Sequence, residues 1–184
     1  MKIRDWKMNL DKALVILTIL AILGSSSSCK KVDQLLTFTI SDESSITVNS
    51  SSPINLPVEI ATPNVTTNSS EQFQNNNSNT NLVKDIRLQS LELSISSPTG
   101  ETFSFLQSIT IYISTDSSNE IELASLDSIP STATSLALVP TQAKLDTYVK
   151  ASTYNLRTEV VTRQVLTQNV NINIADKFKV TANL

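Results

Sequence analysis

The sequence predicts an all-β chain folded as an antiparallel β-sandwich with one short helix, and three observations carry that expectation. From Leu35 onward apolar residues recur mostly at every second position, the period that turns one face of a strand into a core. Thr, Val and Ile, which fit a pleated and half-buried surface, are abundant over the same stretch. Ten short segments of this kind crowd into the 156 residues that follow Ser28 (184 less 28), a density that belongs to two stacked sheets.

In chain order the strands are expected at 35–40, 45–49, 54–60, 82–96, 102–114, 119–125, 135–139, 153–162, 166–174 and 177–184. In the fifth, Phe103, Phe105, Ile109, Ile111 and Ile113 form an inward set, with Leu106, Ser108, Thr110 and Tyr112 opposite. Pro98 and Gly100 stand where a type I turn from Ser97 favours them, so 91–96 and 102–114 are expected to pair as a hairpin. Within 82–96 the apolar residues change phase, from even (Ile86, Leu88) to odd (Leu91, Leu93, Ile95). A β-bulge or a crossing between sheets at Gln89–Ser90 would produce that change. Residues 62–81 hold seven Asn and little apolar content beyond Val65 and Phe73, and are expected as a long mobile loop. In Thr141–Ala151, Leu145, Tyr148 and Val149 fall at helical spacing and supply the one short helix. Residues 35–184 are thus expected as one sandwich domain, immunoglobulin-like or similar.

Ahead of that domain, residues 1–12 carry Lys2, Arg4, Lys7 and Lys12 with Asp5 and Asp11, and an apolar run follows from Ala13 to Leu23, broken only by Thr18. Eleven helical residues rise about 16 Å against roughly 30 Å of bilayer hydrocarbon, so the run fits a signal helix and is too short to span. Gly24 and Ser25–Ser28 then lead to Cys29, the one cysteine. The stretch resembles a bacterial lipoprotein signal in the relaxed, Ser-rich form of the Bacteroidota, with Ser26 where the usual motif has an aliphatic residue and Cys29-Lys30-Lys31 after the cut. The resemblance implies that 1–28 are removed, that Cys29 carries acyl chains such as palmitate, and that 29–34 form a tether. Lys30, in place of an Asp after the Cys, implies the outer membrane, with the membrane itself as a partner through the N-terminal lipid. Whether the domain faces the periplasm or the cell surface is left open.

Composition removes many chemistries. The chain has no His and one Cys, which excludes a Cys/His zinc site, a Ser-His-Asp or Cys-His arrangement and an internal disulfide. Its two Gly, of which only Gly100 follows the leader, do not supply a phosphate cradle. Four of 14 basic and two of 17 acidic residues lie in the leader, leaving 10 against 15 and a net charge of −5 without a basic cluster. Nucleic acid is not an expected partner.

Candidate sites are few. Glu120 and Glu122 alternate with Ile121 and Leu123 and are expected side by side on a solvated strand face. Asp116 to Glu120 offers oxygens but lacks the spacing of a calcium loop, and is expected as a polar hairpin turn. Asp127-Ser128-Ile129 resembles the acceptor pattern for O-glycosylation in Bacteroidota, which marks Ser128. No catalytic residue, metal ligand or cofactor is expected. The expected function is a non-enzymatic binding or structural module of the cell envelope, with a possible envelope protein partner. Two alternatives are a carrier of an apolar ligand between the sheets and an adhesin or pilus-associated subunit donating the strand Phe178 to Leu184. A hydrolase working with carboxylates alone would need two Asp or Glu converging in a cleft, one with a raised pKa.

Overall fold

The computed structural model describes residues 35–183; the expected leader 1–28, the tether 29–34 with Cys29, and Leu184 lie outside the described residues. Ten strands form two antiparallel sheets, β1 (Leu35–Val48), β2 (Pro57–Ala61), β3 (Val65–Thr66), β4 (Val83–Ser97), β5 (Leu106–Ser114), β6 (Ile121–Leu126), β7 (Ser135–Ala137), β8 (Val139–Pro140), β9 (Thr153–Thr162) and β10 (Val170–Asn183). The first sheet runs β1-β10-β4-β7, and the second runs β2-β9-β5-β6-β8 with β3 also on β9. The all-β sandwich arrangement is as the alternation predicts. Its core is one apolar cluster to which both sheets contribute.

β10 shows how the pattern builds the core. Val170, Ile172, Ile174, Asp176, Phe178, Val180 and Ala182 all point inward and are buried, and Asp176 is the only charged member of that column. On the facing sheet β9 presents Tyr154, Leu156, Thr158, Val160 and Thr162. Fully burying one such apolar side chain contributes about 1.5–3 kcal/mol, so columns of this length are what hold the sheets together.

The phase change in β4 is a bulge. Ser90 pairs with Lys177 and Leu88 with Phe178, leaving Gln89 without a partner, and further register shifts leave Ser96 and Lys84 over. Each extra residue flips the following side chains, which is why odd Val83, even Ile86 and Leu88, and odd Leu91 and Leu93 are all buried on one face.

Several expectations are corrected. Segments 35–40 and 45–49 are one strand, β1, and 166–174 with 177–184 reduce to one strand, β10. The apolar pattern lapses at polar residues in the middle of each, yet both stay paired without a break, Asp42 lying opposite Asp176. The stretch 135–139 divides instead, β7 joining the first sheet and β8 the second. The expected hairpin between 91–96 and 102–114 is absent, because β4 is flanked by β10 and β7, and β5 by β6 and β9. Ser97–Gly100 therefore connects the two sheets, with Gly100 at φ +83°, and a 3-10 turn over Phe103–Phe105 buries Phe103, Phe105 and Leu106 together. Leu106, expected opposite the inward set, joins it because the register shifts between Leu106 and Ser108.

Among the described residues there are two α-helices where the sequence predicts one. The expected one, a single turn α2 (Asp146–Val149), follows buried Leu145 and buries Tyr148 and Val149. The unexpected α1 (Ser69–Asn75) lies inside the 62–81 segment. Phe73 is fully buried and meets Phe38 edge to face at 6.2 Å. The Asn residues supply turn chemistry: the Asn76 amide donates to Gln72 O, Asn77 takes φ +54°, and Asn79 Oδ1 accepts from the amides of Asn81 and Leu82. No helix among the described residues is long and apolar enough to cross a membrane.

Candidate functional site

The inward column of β10 leads to the most unusual chemistry in the molecule. Asp42 of β1 and Asp176 of β10 are cross-strand partners. Tyr154 reaches across from β9 in the opposite sheet, its hydroxyl 3.1 Å from Asp42 Oδ2 and 3.1 Å from Asp176 Oδ2. Asp176 is 2% exposed, and its second oxygen has no hydrogen-bond partner. Among the described residues no cation forms an ion pair with either carboxyl.

The geometry favours an extra proton. A phenol carries one hydrogen, which it gives to one carboxylate or shares weakly between two; both contacts are full hydrogen bonds when one carboxyl is protonated and donates to the phenol oxygen. Burial, with the Asp42 charge second, pushes the Asp176 carboxyl up to about 7. Burial also raises Asp42, partly offset by the Tyr154 hydrogen bond, and burial beside the two carboxyls raises Tyr154, so the phenol stays protonated.

Asp42 also lines a surface cleft of about 430 Å³ along the open side of the sandwich. One wall is Ser41 to Ser45 of β1 and the other is Pro63 to Thr66 with Asn68, so β3 forms part of it. Hydroxyl, amide and carboxylate groups prevail, and the two ionisable lining residues are Asp42 and Glu43. Asp176, the more strongly shifted carboxyl, does not line this cleft. The two carboxyls that a carboxylate-only hydrolase requires thus converge, but only Asp42 is within reach of a solute.

The outer face of the second sheet holds a second cluster. Arg157 on β9 pairs with Glu120 at 2.7 Å, Glu59 at 3.0 Å and Glu159 at 3.7 Å, and lies 4.1 Å over the Tyr112 ring. Glu59 and Glu159 are directly opposite across β2 and β9, a repulsive placement that Arg157 relieves. Its hydrogen bonds hold the Glu120 carboxyl below the usual range and raise Arg157 itself. Arg157→Ala is expected to cost about 1 kcal/mol in urea unfolding, with the loss shrinking in high salt. An unchanged midpoint at low salt would mean that the cluster is only a surface coincidence.

Of the residues marked by the sequence, Cys29 lies outside the described residues. Ser128 is exposed, on a shallow depression with Gln107, Asp127, Pro130 and Arg163, whose guanidinium donates to the carbonyls of Leu106 and Ile129. Glu120 is drawn onto Arg157 just before β6 begins, while Glu122 is exposed within it, where the register shifts between Ile111 and Tyr112. Asp116 to Asn119 is the expected polar turn: Asp116 accepts from the Ser118 amide and hydroxyl, and Asn119 Oδ1 from the amides of Thr115 and Asp116. No group of three or more metal-ligating residues occurs among the described residues. Sequence reasoning missed the Asp42–Tyr154–Asp176 cluster. The signal was present as a single Asp inside each of two apolar, period-two strands.

No family model matches this chain, and no curated protein matches it. Among solved structures, a chain of Desmodium yellow mottle tymovirus is similar over 81% of this chain and 90% of its own, at 13% identity and a TM-score of 0.30, a likeness on which no argument is built.

Proposed function

We propose that this chain is a lipid-anchored protein of the bacterial outer membrane, held through Cys29, and that its sandwich is a non-enzymatic binding module whose site is the cleft between Ser41–Ser45 and Pro63–Asn68. The cleft carries this reading. Its size is that of ordinary ligand sites, and its lining is polar and built on a strand of the scaffold. The inaccessibility of Asp176 supports binding over carboxylate chemistry. Among the described residues this cleft, the Ser128 depression and a third along Glu43–Ser45 and Asn173–Ala175 are open surface features, which supports binding at the surface over carriage between the sheets. The adhesin alternative loses its donor strand, because β10 is paired on both sides by β1 and β4.

The anchor is tested by detergent phase separation of the chain expressed with its leader. Wild type is expected in the detergent phase and Cys29→Ala in the aqueous phase; equal partition of the two would remove the lipid from the proposal. The exposure of Ser128 supports its reading as a glycan acceptor. Intact mass in a Bacteroidota host is expected to fall by one glycan in Ser128→Ala, and identical glycan content in both proteins would refute it.

A further inference from the structure

We propose that β1 takes up, along its free edge and within this cleft, an extended segment of a partner protein that carries Lys or Arg side chains. The inference rests on the cleft being the binding site and adds the kind of ligand and the mode of its capture.

Strand edges present unpaired N–H and C=O groups, and soluble proteins protect them by keeping edge strands short or by placing Pro, Lys, bulges or inward charges on them. In this sandwich the other edges are short: β7 has three residues, β8 two, β2 five and β3 two. β1 is the exception. It is 14 residues long, lies at the end of its sheet, and pairs with β10 at every position without a register shift. It contains neither Pro nor Lys and no bulge, and its one inward charge, Asp42, is engaged by the Tyr154 hydroxyl. Along its outer face stand Thr37, Thr39, Ser41, Ser45 and Thr47, small hydroxylated side chains that suit cross-strand pairing.

The cleft lies along the middle of that edge. Five residues, Ser41 to Ser45, span about 17 Å, and across from them β3 is hydrogen-bonded only to β9. β3 already approaches β1 too closely to admit a strand hydrogen-bonded to both, so an added segment would pair along β1 alone, with β3 as the wall beside it. Charge selects the occupant. The only charges on β1 are Asp42 and Glu43, both line the cleft, and no cation lines it. A second copy of β1 has no basic residue and would bring two further carboxylates against these two. A segment with alternating Lys or Arg has its hydrogen bonds from the edge and its charge pairing from Asp42 and Glu43.

The test uses the full chain in detergent micelles and a labelled ten-residue peptide of alternating Val and Thr with two central Lys, read by fluorescence anisotropy. A Glu counterpart and a Lys peptide N-methylated at alternate amides are the controls. The Lys peptide is expected to bind at least about tenfold more tightly than the other two. Glu43→Lys, at an exposed position, is expected to abolish the preference for Lys, and Asn64→Trp, which obstructs the far wall, to abolish binding. Binding that is lost in Asn64→Trp but indifferent to N-methylation would overturn strand addition and leave the cleft as the site. Binding insensitive to both substitutions would overturn the cleft as well. Absence of peptide binding, or dimerisation by sedimentation that Glu43→Lys abolishes, would overturn the basic partner.

Discussion

Asp176→Asn is expected to make the protein more stable at pH 8 and to change it little at pH 4. In the folded chain this carboxyl titrates near 7, while in the unfolded chain it has the ordinary value of 3.8. Below about 4 the group is protonated in both states and exacts nothing. Between about 4 and 7 the unfolded chain gives up the proton and the folded chain keeps it, so stability falls as pH rises; above 7 both are ionised and the loss is complete. One pKa unit corresponds to 1.36 kcal/mol, so the full loss is on the order of 4 kcal/mol, and Asn, neutral and of the same shape, avoids it. For a domain of this size that is roughly 10 °C in melting temperature. The chain contains no His, the side chain whose ordinary pKa falls in this range, so a slope between pH 5 and 8 is assigned to this carboxyl pair. The measurement is a thermal melt by circular dichroism at several pH values, wild type beside Asp176→Asn. A flat wild-type profile from pH 5 to 8 would show that no proton is held between Asp42 and Asp176.

Phe73→Ala is expected to cost about 3–4 kcal/mol, a loss comparable to removing an aromatic from the centre of a core. Phe73 belongs to a seven-residue helix with no side-chain cap at its N-terminus, and such a helix has no stability of its own in water. Its burial and its contact with Phe38 are what tie the Asn-rich segment to β1. In wild type the 62–81 segment should resist limited proteolysis; in Phe73→Ala it should be cut at concentrations of protease that leave the sheets intact. Equal cleavage of both proteins would mean that the segment is mobile regardless of Phe73, as its composition predicts.

The sequence by itself determined the fold class and most of the inside–outside assignment. Ile109, Ile111 and Ile113 are buried where the alternation puts them. The bulge at Gln89 was legible as a phase change, and α2 as three apolar residues at helical spacing. These are local properties, set by which face of a strand or turn a side chain occupies. Strand neighbours were decided only by the tertiary structure. Ser97–Gly100 looks like a hairpin turn, but β4 lies against β10, far along the chain, and the turn becomes a link between sheets. The same holds for 62–81, where one Phe among many Asn orders the segment because Phe38 stands opposite. It holds most fully for the candidate site. Asp42, Tyr154 and Asp176 come from three strands in two sheets, and each Asp alone reads as a polar interruption of a strand. Only their convergence sets a buried carboxyl beside a second, half-buried one, because desolvation and like-charge repulsion depend on what surrounds a group in space.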